Sequence, residues 1–353
     1  MKYIALTILV LAATAAAQSG RMKPTETPFP TPVNRTSVGY DPTDERSPTL
    51  TAKPTPPIKT KDDPDIIKVD SSLVPIPVSV LDADGNGITN LLAKDFELRI
   101  DGKLVEIGEV TRSESPIRLA MIFDNSSSVL IARDFEKEAA VKFFKRVVRP
   151  DRDLAALYSL ADYTRLEQPL TRDVSLLVRA IELFPEPKGA TALLDGIIAV
   201  AQYLKSAQGR RVIVIVSDGE DTYSDIRTTL DDVIKALQIN DVQVYVVKTK
   251  DFENDKRTGV RGGNANIRAL TAERRMIEIT QQTGGAVYSP IDENELNQAF
   301  KQISAELAQQ YIISYYPDDE ADKRGEFRPI TVTVKTKQNL TVRARKGYYI
   351  GRK

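Results

Sequence analysis

Short runs of consecutive apolar residues alternate, along the middle of the chain, with longer segments whose apolar residues recur every three or four positions. The continuous runs predict strands that are buried on both faces of a sheet, over residues 117–123, 154–160, 211–216, 242–247 and 286–288. The periodic segments predict helices over residues 132–148, 174–184, 192–204, 230–239, 272–282 and 293–309. This alternation predicts an α/β fold with a doubly wound, mostly parallel, Rossmann-like sheet over residues 116–310.

The segments on either side of this domain follow the two-residue period of strands instead. Residues 66–115 contain an alternating run and a second short strand, and residues 311–353 contain three further strands. Neither flank has enough strands to bury a hydrophobic face alone, so we expect the two to pair into one accessory β module. Within the α/β domain, residues 255–263 are Gly-rich and basic without an apolar period, which predicts a surface loop.

The N-terminal region is typical of an exported protein. Residues 1–17 combine Lys2 with a short apolar run that ends in alanines, which predicts a signal peptide cleaved near Ala17. The run is shorter than the roughly 20 apolar residues that span a bilayer, so a retained anchor is the less favoured alternative. Residues 18–65 are rich in Pro and Thr and predict a disordered linker. We therefore expect a soluble protein that is periplasmic, on the cell surface or secreted.

Composition narrows the chemistry that this protein can perform. Lys plus Arg and Asp plus Glu each number 49, so the chain carries no net charge that would attract nucleic acid or an anionic membrane. The 353 residues include no Cys and no His, which excludes disulfides, thiol nucleophiles, imidazole bases and the soft sites that zinc or copper prefer. Any metal ion bound here must be a hard cation with oxygen ligands.

Polar residues follow two of the strongly buried strands at the point where each strand ends. Asp124, Ser126 and Ser128 form a D-x-S-x-S pattern after the first strand of the predicted domain. Asp218 follows another of these strands, and Thr191 lies between them at a junction of loop and helix. Because the carboxyl ends of parallel strands meet at one sheet edge, two carboxylates and three hydroxyls can converge there. Such oxygens suit a hard divalent cation, and the octahedral shell of Mg²⁺ would keep a position for water or a partner.

Two simpler interpretations of the same residues are less favoured. A strand-end Asp followed by serines can merely cap the next helix. The additional presence of Thr191 and Asp218 at the corresponding loop and strand ends favours a metal site. The segment Asn125-Ser126-Ser127 is also a glycosylation sequon, which we interpret as incidental because a glycan there would block the site.

Residues 116–310 resemble a von Willebrand factor A domain. The residues that match the signature positions of this family's metal ion-dependent adhesion site are Asp124, Ser126, Ser128, Thr191 and Asp218. The segments 189–197 and 216–221 are also similar to the family's threonine loop and second acidic loop. The flanks, including residues 93–102 and 343–348, resemble a subgroup of exported bacterial proteins of this family, first noticed in Acidobacteria.

The resemblance implies one divalent cation per chain, Mg²⁺ or alternatively Mn²⁺ or Ca²⁺. It implies direct coordination by Ser126 and Ser128, and direct or water-mediated coordination by Thr191. Asp124 and Asp218 would act partly through water. The function that it implies is binding of a protein whose Asp or Glu carboxylate completes the coordination of the ion, as in an adhesion or interaction module.

Two other functions compete with this interpretation. A metal-dependent hydrolase would use the ion to activate water, but the chain has no His, no Cys and neither a G-x-S-x-G nor a G-x-x-x-x-G-K motif. A scaffold with a structural or vestigial metal would not require all five positions to be intact. We therefore expect a binding protein rather than an enzyme, with no affinity for nucleic acid and no membrane span. The sequence leaves its oligomeric state open.

Overall fold

The computed structural model describes residues 73–112, 114–130, 133–259, 267–317, 325–335 and 339–350. The predicted signal peptide and Pro/Thr-rich linker lie outside the described residues. All of the described residues belong to one unit, Ile67–Lys353, which holds the α/β domain and both flanks. No helix in this described part of the chain is both long enough and apolar enough to cross a membrane.

The elements of the described residues are named in chain order. The strands are β1 (Val74–Leu81), β2 (Phe96–Ile100), β3 (Lys103–Val105), β4 (Glu109–Arg112), β5 (Ile117–Asp124), β6 (Leu154–Leu160), β7 (Thr164–Thr171), β8 (Arg210–Ser217), β9 (Val242–Lys248), β10 (Val287–Tyr288), β11 (Tyr311–Tyr315), β12 (Phe327–Val334), β13 (Thr341–Ala344) and β14 (Gly347–Tyr349). The helices are α1 (Arg133–Val147), α2 (Val174–Glu182), α3 (Leu193–Leu204), α4 (Leu230–Ile239), α5 (Lys250–Thr258), α6 (Ile267–Thr283) and α7 (Glu293–Gln309).

The central sheet has the strand order β10-β9-β8-β5-β6-β7. Neighbouring strands are parallel except β6 and β7, which form an antiparallel hairpin at one edge. The strand β5 lies in the interior of the sheet, between β8 and β6, and is buried along nearly its whole length. The predicted α/β fold with a doubly wound, mostly parallel sheet is therefore confirmed.

Helices cover both faces of this sheet, because successive side chains along each strand point to opposite faces. Along β5, Leu119 and Met121 join a core that includes residues of α1, α2 and α7. Ala120 and Ile122 join a second core with residues of α3, α4 and α6. Since both faces of the strands are buried, their sequences are continuous apolar runs without polar alternation. Along β5 the acidic residue Asp124 is the last residue of the strand, at the edge where the predicted site lies.

The two flanks together form two antiparallel four-stranded sheets, with the orders β13-β1-β11-β4 and β14-β12-β2-β3. The N-terminal strand β1 lies between the C-terminal strands β11 and β13, and β12 pairs with β2. The two sheets share a core to which both flanks contribute, with Ile76 and Leu98 from one and Ile313 and Ile330 from the other. The expected accessory β module is confirmed, and its strands interleave because neither flank supplies a complete sheet.

Two elements of the α/β domain differ from the sequence-based expectation. The strand β7 was not predicted, because it contains Pro169, which argues against a strand in the interior of a sheet. The structure places β7 at the sheet edge, where proline is tolerated. The prediction of a surface loop over residues 255–263 is wrong for the first part of that segment, because residues up to Thr258 belong to the helix α5. This helix ends at Gly259, whose φ of 68° is a left-handed conformation that glycine adopts without strain. The remainder of that segment lies outside the described residues.

The accessory module should lose stability when its shared core is opened. Ile313 of β11 is fully buried between β1 and β4, so Ile313→Ala should lower the free energy of unfolding by about 2–5 kcal/mol. Thr333→Ala, on the exposed face of β12, is the control and should cost less than about 1 kcal/mol. Urea denaturation followed by circular dichroism measures both values. Equal losses in the two variants would mean that the flanks do not share a core.

Candidate metal centre

The two carboxylates of the predicted site are brought together by the pairing of two central strands. Because β5 and β8 are parallel neighbours in register, Asp124 and Ser217 lie side by side where the strands end. The Ser217 hydroxyl donates a hydrogen bond of 2.6 Å to Asp124 Oδ2. Gly219 N donates one of 3.1 Å to the Ser217 hydroxyl, which turns the chain sharply after the strand. Asp218, inside this turn, is thereby held at the same sheet edge as Asp124.

The loop that follows β5 folds back over the end of that strand. Asp124 Oδ1 accepts a hydrogen bond of 2.9 Å from Ser126 N. A 3-10 turn over Ser127–Val129 follows, and the hydroxyl oxygens of Ser126 and Ser128 lie 2.9 Å apart. Asp124 and Ser126 are buried, whereas Ser128 is exposed. The D-x-S-x-S residues thus present their oxygens together, with Ser128 on the solvent side.

Thr191 reaches this edge through loop contacts rather than through the sheet. Its carbonyl oxygen accepts hydrogen bonds from Thr222 N at 2.8 Å and Tyr223 N at 3.0 Å, and Thr191 N donates to the Thr222 hydroxyl at 3.0 Å. On the other side, the Ser127 hydroxyl donates to Gly189 O at 3.0 Å. The loop that carries Thr191 is hence hydrogen-bonded to both other loops of the site, and Thr191 itself is buried.

Burial makes two carboxyl groups near this edge, those of Asp124 and Glu136, difficult to ionise. The pKa of Asp124 is raised from 3.8 to about 6, first because the side chain is buried and then because the charge of Asp218 is near. Hydrogen bonds from neighbouring serines oppose this shift by stabilising the carboxylate. In α1, burial raises the pKa of Glu136 well above its ordinary value, and the charge of Glu253 in α5 raises it further. Negative charge on either of these two side chains is therefore unfavourable unless a nearby positive charge compensates it.

Lys250 also lies at this edge, although the sequence pattern does not predict it there. Its Nζ lies 2.9 Å from Glu220 Oε1 and 3.6 Å from Asp218 Oδ2. Burial acts to lower the pKa of Lys250, but its hydrogen bond to Glu220 and the charge of Asp218 outweigh that effect, so the pKa is raised. Lys250 begins α5 directly after β9, the strand beside β8. That position, after the end of a predicted strand, is the signal that would have found it.

Other acidic residues near this edge anchor the loops. Asp221 Oδ1 accepts hydrogen bonds from Leu193 N at 2.9 Å and from the Ser224 hydroxyl at 2.7 Å, so it satisfies the start of α3. Asp195, in the first turn of that helix, accepts a hydrogen bond of 2.8 Å from Asp225 N. These contacts tie the loop after β8 to the helix that follows Thr191, and so determine the spacing of the two loops.

The donor set fits the chemistry of a hard divalent cation. Two carboxylates and three hydroxyls supply oxygen ligands alone, which Mg²⁺ and Ca²⁺ prefer. Adjacent ligands about 2.1 Å from an octahedral ion lie roughly 3 Å apart, and the separation of 2.9 Å between the Ser126 and Ser128 oxygens agrees with that spacing. In the described ranges no three carboxylates form a metal-binding group, so a site at this edge must use its hydroxyls.

The fold and this edge define a class of protein: a doubly wound α/β domain that presents hydroxyls and carboxylates at the carboxyl ends of its central strands. The sequence matches the model of the von Willebrand factor type A domain over residues 119–302, more than half of its 353 residues, and the chain belongs to this family. A comparison with curated proteins gives no match.

Several solved structures are similar to this chain. One is BatB from Bacteroides thetaiotaomicron, with 16% identity and a TM-score of 0.41, covering 53% of this chain and 97% of that one. Another is the PilB minor pilin from Streptococcus sanguinis, with 14% identity and a TM-score of 0.43, covering 55% of this chain and 62% of the pilin. A third is the vWF domain of the type V pili tip protein Mfa5 from Porphyromonas gingivalis, with 11% identity, a TM-score of 0.41 and coverages of 54% and 94%.

The raised pKa of Asp124 predicts how the free energy of unfolding of the metal-free protein depends on pH. Between pH 3.8 and about 6 the folded protein binds more protons at Asp124 than the unfolded chain does, so the free energy of unfolding falls as pH rises. Relative to Asp124→Asn, wild type should lose about 3 kcal/mol across this window. Urea denaturation in chelator at a series of pH values measures the difference. Parallel pH profiles for the two proteins would contradict the assigned environment of Asp124.

Proposed function

We propose that this protein is an exported, metal-dependent protein-binding module. The residues that would hold one divalent cation, Mg²⁺ or else Mn²⁺ or Ca²⁺, are Asp124, Ser126, Ser128, Thr191 and Asp218. When bound, the cation supplies a Lewis-acidic position that takes an Asp or Glu carboxylate from a protein partner. The observation that supports the proposal is that the three loops carrying these five residues are hydrogen-bonded to one another at one sheet edge.

The chain's own residues divide into ligands and the groups that position them. Ser217 orients Asp124 through its hydrogen bond of 2.6 Å, and Thr222 holds the backbone of Thr191 from both sides. Lys250 neutralises part of the charge of Asp218. A site with few unneutralised carboxylates leaves the electrophilic character of a bound cation available to a carboxylate from outside. This charge balance supports binding of an acidic partner.

Export and the lack of an enzymatic activity are further parts of the proposal. Export rests on the signal peptide predicted at residues 1–17 and on the resemblance of the flanks to exported bacterial members of the family. The chain contains no His, the commonest general base, and no Cys, one of the common nucleophiles. We therefore propose binding, not turnover, as the function of this edge.

Divalent cations should bind the protein with a stoichiometry of about one per chain. The reason is that the five residues proposed as ligands form a single set on three adjoining loops. Isothermal titration calorimetry of chelated and dialysed protein with Mg²⁺ and Mn²⁺ measures the stoichiometry and affinity. Asp124→Ala should lose this binding. Unchanged binding by that variant would contradict the assignment of the metal site to this edge.

Replacing Lys250 should strengthen metal binding, whereas Asp124→Ala should abolish it. Its ammonium lies 3.6 Å from Asp218 and repels a cation that approaches the same carboxylate. Lys250→Met should therefore bind Mg²⁺ more tightly, by roughly tenfold or less, given the partial exposure of the pair. Lys142→Met is the matched control, because Lys142 pairs with the exposed Glu138 on α1. An equal gain in both variants would indicate a change in overall charge alone.

Partner capture should depend on the Thr191 hydroxyl. Thr191→Ala removes one hydroxyl, which contributes only about 1 kcal/mol to stability, so the fold should persist while partner binding is lost. The measurement is capture from cell-envelope extract by wild type, chelated wild type and Thr191→Ala. Excess Mg²⁺ should reverse chelation but rescue the variant only weakly. Esterase, phosphatase and peptidase assays on the same proteins test the alternative function. Metal-dependent turnover that Asp124→Ala abolishes would make the protein a hydrolase.

A further inference from the structure

A cavity of about 300 Å³ lies where the accessory β module meets the α/β domain. Its lining includes Arg210 and Arg211, which begin β8, and Val242, which begins β9. These are the amino-terminal ends of parallel strands, whereas Asp124 ends β5 at the opposite edge of the same sheet. The cavity is therefore separate from the candidate metal centre. Its volume is at the lower end of the range of small-molecule sites, which often lie between domains.

Most of the surface exposed inside this cavity is apolar. Pro77 of β1 and Ile312 of β11 lie opposite each other in the antiparallel pair, so their side chains are on one face of that sheet. Pro75 is on the same face, whereas Ile313 points into the core of the accessory module. Leu237, in α4 of the α/β domain, also lines the cavity. An apolar chain that enters the cavity can therefore pack against both modules.

The charged groups that line the cavity are mostly positive. Arg210, Arg211 and Arg345 contribute three guanidinium groups, and Asp241 contributes the one carboxylate among the described lining residues. The side chain of Asp241 is 60% exposed, so water screens much of its charge. Arg210 is buried, and this burial lowers its pKa to about 10. Arg211 donates from Nε and Nη1 to carbonyl oxygens, each at 2.9 Å. The cavity thus has an excess of positive charge.

Arg345 brings an unused hydrogen-bond donor to this cavity. Its Nη1 donates to Asp241 Oδ1, and its Nη2 donates to Pro75 O at 3.0 Å. Its Nε is buried and donates to no atom of the described residues. A buried donor without an acceptor is unfavourable, so an acceptor oxygen inside the cavity would be stabilised there. Arg345 also belongs to the segment 343–348, whose resemblance to exported family members the candidate metal centre does not explain.

We propose that this cavity binds a small carboxylic acid with an apolar chain, of the class of medium-chain fatty acids. The carboxylate accepts a hydrogen bond from Arg345 Nε, and the positive charges of Arg210 and Arg211 attract it. The chain packs on Pro77 and Ile312. At about 30 Å³ for each group of the size of a water molecule or methylene, the volume suits roughly eight to ten carbons.

Two other classes of ligand fit the cavity less well. A phosphate or sulfate group would leave the apolar walls uncovered, and an uncharged hydrocarbon would leave Arg345 Nε without an acceptor. The assignment does not depend on the proposed function, because the metal centre lies at the other edge of the sheet.

Calorimetric titration of the full-length protein with decanoate tests this inference. About one decanoate should bind per chain. Decanol has the same chain without the charge, and acetate has the charge without the chain, so each should bind at least roughly tenfold more weakly than decanoate. Arg345→Met should weaken decanoate binding by roughly tenfold or more, because it removes a charged donor.

Asp241→Asn should change the affinity in the opposite direction and tests the site if Arg345→Met does not fold. Asp241 has a φ of 50°, a left-handed conformation that asparagine also adopts readily. The variant removes the charge that competes for Arg345, so it should bind decanoate about threefold to tenfold more tightly. Arg99→Met is the matched control, because Arg99 pairs with Glu97 in β2 of the accessory module and should leave the affinity unchanged.

Several outcomes would overturn the inference. These are equal affinities for decanol and decanoate, unchanged affinity in Arg345→Met, weaker binding in Asp241→Asn, and equal losses in Arg345→Met and Arg99→Met. Tighter binding of a short peptide that ends in a Leu carboxylate would make the ligand a protein C-terminus instead. Chelator and Asp124→Ala should leave decanoate binding unchanged. Decanoate binding that requires Mg²⁺ and is lost in Asp124→Ala would place the acid at the metal centre, which would overturn this inference and support the proposed function.

Discussion

The parallel pairing of β5 with β8 is the constraint on which the rest of the candidate site depends. Two parallel strands in register end at the same edge, so the residue after each strand is brought to its neighbour without any further contact. Here the pairing places Ser217 beside Asp124, and their hydrogen bond of 2.6 Å orients the buried carboxylate. If one strand slipped by one residue against the other, the side chains of Asp124 and Ser217 would lie on opposite faces of the sheet. The apolar cores on both faces of β5 therefore protect the site as well as the fold.

The same packing also determines the electrostatics of this sheet edge. Helices on both faces remove the strand ends from water, and burial together with the charge of Asp218 raises the pKa of Asp124 to about 6. Lys250 supplies one positive charge next to Asp218. The proposed ligand set has two carboxylates, Asp124 and Asp218, and three hydroxyls, so a bound cation would keep much of its charge for a partner carboxylate.

The loops outside the sheet complete what the strands begin. Thr191 is distant from both aspartates along the chain, and its position depends on backbone hydrogen bonds to the loop after β8. Asp221 and Asp195 attach that loop to α3, so residues that could be mistaken for ligands serve instead as anchors. The same hydrogen bonds hold Tyr223 beside the site. One hydrogen-bonded network therefore joins the three loops that carry the candidate ligands, and it lies outside the sheet.

The sequence predicts the central sheet and the ends of its strands, because continuous apolar runs are typical of strands with both faces buried. It also determined that Asp124 and Asp218 follow such strands, and that two incomplete flanks must combine into one β module. It did not reveal β7, whose weak pattern is permitted at an edge, or α5, which is short and highly charged. The contact of Lys250 with Asp218 and the position of Tyr163 beside the Thr191 loop are seen in three dimensions alone. Periodicity reports which side of an element is buried. Contacts between loops depend instead on hydrogen bonds between residues far apart in the chain, which leave no period in the sequence.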